Sequence, residues 1–287
     1  MYTETDKSLE NLDADQLREF VESESLFFSQ SEDFSTDTET AKRIFKLIHA
    51  LIYLGDYEEA IYKIHQAENI VYSLLGHDTS SLEAIDFAAE WNLLAMRFTA
   101  FHPGEFNDYP YFKEIVRLYE NHPSGFHIQM VHGYISLIIN YQVWKNRGGN
   151  AEKLPPDQQQ ELENLVANYP NQLQEMAQNA KTQGDIEKEV LLNRALARYA
   201  IAINDPNLAI GCLKVLRDIL PQYPKHLSSD IADVDMEMGM LFVSYKQYSQ
   251  AKPYFEQALK SYQSLSEEYE LFAAQAEGWI TECINKS

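Results

Sequence analysis

Basic residues are scarce in this chain: 23 Lys and Arg stand against 44 Asp and Glu over 287 residues, a formal net charge of −21. Sequence-independent nucleic-acid binding needs Lys and Arg to displace counterions from phosphates, and an anionic lipid surface repels the same acidic excess. Direct nucleic-acid binding and membrane association are therefore not expected. Cysteine is rarer still: Cys212 and Cys283 make neither a disulfide framework nor a zinc pattern. No apolar run approaches the roughly 18 residues that span a bilayer, and the N-terminus has no basic-plus-apolar leader. The expectation is a cytoplasmic chain. Eleven glycines and ten prolines are too few for a many-turned β fold.

Catalytic signatures are missing as well. There is no GxSxG, no glycine-rich phosphate loop, no HExxH, no Glu-x-x-His and no cysteine in a histidine context. His122, His127 and His132 are five apart, which does not align imidazoles on one helical face. Acids are so frequent that carboxylate pairs arise by chance and carry no weight. Neither an enzyme, a cofactor nor a metal site is expected.

What is present is helical periodicity. Hydrophobic residues make up 45% and aromatics 12% of the chain. Ile44, Leu47, Ile48, Leu51 and Ile52 form one stripe; Leu192, Leu196, Tyr199, Ala200 and Ile203 form another, and Met238, Leu241, Phe242 and Tyr245 a third. Stops fall at Gly55-Asp56, Gly76, Pro103-Gly104, Pro123-Ser124-Gly125, Gly148-Gly149, Pro155-Pro156, Pro170, Gly184-Asp185, Pro206, Pro221 and Pro224. Phe126 to Trp144 is ambiguous, being β-branched and aromatic, but its length and spacing favour helix. About twelve to fourteen helices and no sheet are expected.

The first forty residues differ. They hold twelve acids against Lys7 and Arg18. Asp15 to Phe28 can form a helix bearing Leu17, Phe20, Val21, Phe27 and Phe28, followed by a polar stretch from Ser29 to Thr40. Residues 1–40 read either as a cap over the first repeat or as an acidic arm that docks on a partner. The aromatic run Phe98, Phe101, Phe106, Tyr109, Tyr111, Phe112 and Tyr119 reads as core between helix pairs, with Phe106 to Tyr111 as an alternative exposed surface.

Three segments repeat one pattern, a short turn followed by a small residue on the next helix: Leu54 to Ala60, Ile203 to Ala209, and Tyr245 to Ala251. Small side chains at a crossing let helix axes approach to about 8–10 Å. Gly55-Asp56-Tyr57 with Ala60, Ile64 and Ala67, and Gly239 with Tyr248, Ala251, Phe255, Ala258 and Leu259, resemble the tetratricopeptide repeat. The middle copy keeps Ala209 but has Pro206, Leu213 and Leu216. The spacing of 42 from Ala209 to Ala251 resembles the long-helix subtype of kinesin light chains and bacterial intracellular peptide receptors. Clear matches cover residues 41–76 and 189–262.

The resemblance implies an all-α, right-handed superhelical solenoid of such helix pairs over residues 41–287, closed by a capping helix at about 267–285. It implies a non-catalytic scaffold whose concave groove binds a protein or peptide segment, with a regulatory peptide-sensing receptor, acting through a partner or dimerisation, as the alternative. First helices would line that groove with Phe45, His49, Ile52 and Tyr53, with Arg194, Arg198 and Ile201, and with Met236, Met240 and Val243. Arg194 and Arg198, four apart, could grip a carboxylate of the partner, or else pair with an acid such as Glu187 or Asp235. Asn140, Asn193 and Asn204 could hydrogen-bond a peptide backbone, with Asn204 more simply a turn residue and Asn140 beside Tyr141 the better candidate. The lysine and asparagine clamp of chaperone-binding members is absent, since Phe45 and His49 stand in its positions.

Overall fold

The computed structural model describes residues 9, 12, 14–30, 36–77, 81–99, 106–120, 126–224, 229–265 and 269–286. These form twelve α-helices and no strand. They are α1 (Ala14–Gln30), α2 (Thr38–Leu54), α3 (Tyr57–His77), α4 (Leu82–Thr99), α5 (Tyr109–Glu120), α6 (Ile128–Asn146), α7 (Pro156–Gln183), α8 (Ile186–Ala202), α9 (Pro206–Ile219), α10 (Asp230–Ser244), α11 (Tyr248–Gln263) and α12 (Glu270–Lys286). The all-α class is thus as expected. The expected stops at Pro103-Gly104 and Pro123-Ser124-Gly125 lie outside the described residues, as do Phe101 and His122.

Four turns share one hydrogen-bonding pattern, and it explains how so few glycines suffice. A left-handed residue ends one helix at Gly55, Gly184, Asn204 and Lys246, with φ of 78°, 70°, 61° and 58°. At each, two successive N–H groups turn back onto the last helical carbonyls, as in Gly55 to Ile52 and Asp56 to Leu51. The second of the pair also starts the next helix: Asp56, Asp185 and Asp205 accept the N–H groups of Glu59, Lys188 and Leu208. One aspartate closes one helix and opens another. Five residues past the left-handed position sit Ala60, Glu189, Ala209 and Ala251, all buried.

Pro170 does not end a helix; α7 runs through it for 28 residues. The proline leaves the Val166 carbonyl without its helical donor, a cost of about 3 kcal/mol in isolation. Leu162, Tyr169, Leu173, Ala177 and Ala180 are buried on both sides of it, so packing outweighs the lost bond.

The chain divides into two compact units, residues 1–159 and 160–287. In the first, Leu17 of α1 joins Leu9 and Ala50 in a buried cluster that Leu12, Phe20, Val21 and Leu54 surround. Arg43 of α2 binds Glu24 of α1 through Nε at 2.9 Å and Nη2 at 3.1 Å and lies over the Phe27 ring. Trp91 Nε1 of α4 donates to the Ile64 carbonyl of α3 at 2.8 Å. Phe106 is buried against Tyr141 and Trp144, so the aromatic run serves the core there.

In the second unit, α8 packs on α9, α10 on α11, and α11 on α12. Gly239 of α10 meets the Phe255 ring of α11, where an added Cβ would fall 2.5 Å from Cε1. Phe255 in turn stacks on Trp279 of α12, centroids 5.8 Å apart.

Candidate binding face

The second unit builds an open face from α8 and α10. Arg194 Nη2 of α8 binds Asp230 Oδ1 near the start of α10 at 2.9 Å. At the far ends, Tyr245 donates to Asn204 Oδ1 at 2.6 Å. These cross-links pin the two helices side by side. Between them Ile201 and Met240 are 45% and 49% exposed, unusual for large apolar side chains. Arg198, three residues before Ile201, is also exposed, and Glu237, three before Met240, shares that helix's face with its carboxyl pushed up to about 7 by desolvation.

Two half-exposed arginines reach over two buried aspartates of α10. Arg194 takes Asp230, and Arg217 Nε of α9 lies 2.9 Å from Asp235 Oδ1. Asp235 is almost fully buried, and its Oδ1 has charge contact with Arg217 but no aligned donor. Burial pushes its carboxyl up to about 6, only partly opposed by the Arg217 guanidinium.

This corrects the reading of Arg194. Its Nη2 pairs with a carboxylate of its own chain, neither Glu187 nor Asp235 but Asp230, 36 positions away, while its buried Nε has no hydrogen-bond partner. Met236 is buried beneath the face. Arg198, Ile201 and Met240 remain on it.

In the first unit the expected groove residues are mostly core. Phe45 of α2 stacks on Phe87 of α4 at 5.7 Å, and the buried His49 places Nε2 3.5 Å from Glu90 Oε1. Both are unreachable from solvent because α4 closes over that stripe of α2. Ile52 is buried too, and only Tyr53 is exposed. Asn140 Nδ2 donates to the Met96 carbonyl at 3.1 Å and to Asp108 Oδ1 at 3.2 Å, and Tyr141 is buried. Those two residues therefore hold α6 against α4 and the segment before α5. Sequence reasoning missed Glu237 and Asp230, though the i, i+3 step from Glu237 to Met240 was readable.

No helix among the described residues is long and apolar enough to cross a membrane. No group of three His, Cys, Asp or Glu among them is arranged to hold a metal ion. The sequence matches no known family model and no curated protein.

Proposed function

We infer that the chain is a non-catalytic scaffold, its helix pairs stacked in a right-handed superhelical solenoid similar to tetratricopeptide arrays. It binds a protein or peptide segment on the α8–α10 face. One observation carries the reading: Ile201 and Met240 stay exposed between two polar cross-links that already order the helices beneath them. A preordered apolar strip charges little conformational entropy to the protein on binding. Arg198 flanks it with a fixed positive charge, whereas desolvation, only partly opposed by Arg194, pushes the Glu237 carboxyl up to about 7, which suits a partner with an apolar anchor and an acidic neighbour. Arg194 orients α10 through Asp230 rather than contacting the partner.

The test is affinity capture from native lysate, comparing wild type with Ile201→Asp/Met240→Asp and with Arg194→Ala/Arg198→Ala. A partner lost with the apolar pair supports the face. The arginine pair should weaken the same partner less unless α10 shifts, by roughly 1.5–3 kcal/mol for any charged bond removed. Equal capture by wild type and the Ile201/Met240 variant overturns the reading.

A further inference from the structure

The four equivalent turns allow the helices that follow them to be superposed by count. Five, nine and twelve residues past the left-handed position stand Ala60, Ile64 and Ala67; Ala209, Leu213 and Leu216; Ala251, Phe255 and Ala258. All nine are buried, and all are apolar. The turn at Gly184 departs from this in two places, with Glu189, Asn193 and Leu196 in the same positions. Glu189 and Asn193 are nonetheless only 6% and 7% exposed. Charged and amide groups occupy core sites of a pattern that is elsewhere apolar. Such local violations mark function more often than stability.

Both residues line a cleft of about 320 Å³ between α7, α8 and α9. Asn193 Nδ2 donates to the Glu189 carbonyl at 2.8 Å, which leaves its own carbonyl oxygen as an acceptor. The Glu189 carboxylate accepts no hydrogen bond and forms no ion pair among the described residues, Lys181 of the same cleft included. The oxygens of that carboxylate open onto the cleft, so a positive group of a ligand can reach them. On the opposite wall, Gly211 leaves open space, with no atom within 4 Å of an added Cβ. Cys212 beside it stays a protonated thiol, since burial pushes it up to about 11.

We propose that this cleft binds the ammonium or guanidinium group of a small organic cation, with Glu189 as counter-ion and the Asn193 carbonyl as second acceptor. Beside Glu189 the lining carries the amides of Gln174, Gln178, Asn193 and Asn207, with Lys181 as its basic group, and a guanidinium supplies several N–H donors in a plane. The volume lies at the small end of ligand pockets, enough for an arginine-sized group. At 100° per residue, Glu189, Asn193 and Leu196 lie on the far side of α8 from Arg194, Arg198 and Ile201. The site is therefore separate from the proposed peptide face, and neither stands or falls with the other.

Titration calorimetry of the full chain tests it, with agmatine and spermidine as free cations and N-acetyl-arginine amide as the mimic of a peptide side chain. Saturable binding of at least one probe below about 1 mM is expected. Glu189→Gln, which keeps the shape and removes the charge, should weaken it at least about tenfold. Gly211→Leu, whose side chain enters open space, should fold and block it. Preference for the free cations points to a metabolite, and preference for the arginine amide to a side chain. Absence of binding by all three probes, or equal binding by wild type and Glu189→Gln, overturns the proposal.

Discussion

The two units use the same hairpin but differ in what fills the interval between their first helices. In the first unit, α2 and α4 close on each other through the Phe45–Phe87 stack and the buried His49–Glu90 pair, while α1 covers another side of α2. In the second, α8 and α10 are tied by Arg194–Asp230, from the middle of α8 to the start of α10, and by Tyr245–Asn204 just past their C-termini, and Ile201 and Met240 remain exposed. Ring stacking across a helix pair removes a face from solvent. Two polar cross-links fix the spacing without filling it. The same backbone motif thus yields core in one unit and surface in the other.

The glycine crossings offer the largest expected effect. A Cβ on Gly239 would lie 2.5 Å from Phe255, whose ring is itself stacked on Trp279 and cannot retreat. Gly239→Val should destabilise the second unit by about 3 kcal/mol or more, seen as faster hydrogen exchange in α10 and α11. In the first unit a Cβ on Gly133 meets Ile115 at 3.3 Å, and that side chain can shift. Gly133→Ala should fall within about 1 kcal/mol of neutral, because helix propensity gains about as much as crowding costs. A larger loss at Gly133 than at Gly239 would break the contrast.

Asp235 carries the next effect. Its carboxyl is held at about 6 against an ordinary 3.8, so the folded state binds its proton more tightly than the unfolded chain does. The stability this confers is full below the ordinary value and is lost as pH rises through 6. Asp235→Asn should remove that slope, gaining about 2 kcal/mol relative to wild type between pH 4 and pH 7.5. Urea denaturation at the two pH values measures it; parallel curves for both proteins would refute the assignment.

Each unit also ties one helix to the helix before it by a tyrosine, α5 to α4 and α11 to α10. Tyr119 donates to Asp86 at 2.5 Å and Tyr262 to Asp233 at 2.6 Å. Burial and the Asp86 bond both hold the Tyr119 hydroxyl protonated. Tyr119→Phe and Tyr262→Phe should each cost about 1.5 kcal/mol by thermal unfolding, so here the units should behave alike. The smallest effect is at Lys246, a lysine in the left-handed region with φ of 58°. Lys246→Gly relieves that strain and should stabilise by up to about 1 kcal/mol, whereas Gly55→Ala at the matching turn should cost about as much.

Much of this was readable residue by residue. Ile44 to Ile52 announced α2, Gly55-Asp56 and Asn204-Asp205-Pro206 announced their turns, and Ala60, Ala209 and Ala251 announced buried positions on the helices that follow. Lys246 did not announce its turn, since lysine has no preference for a left-handed backbone. Pro170 misled because its penalty is local while the burial that overrides it comes from both flanks. The site was less legible. Arg194 met its carboxylate 36 residues away, and Phe45 and His49 were buried by a helix whose approach their own stripe does not encode.

The sequence by itself determined the helices, the turns between them and the small residues at their crossings, because these depend on neighbours within about one turn of chain. Only the tertiary structure decided which stripes become core, which aspartate each arginine takes, and that Glu189 and Asn193 line a cleft. Those outcomes depend on which distant helix arrives and how closely it packs.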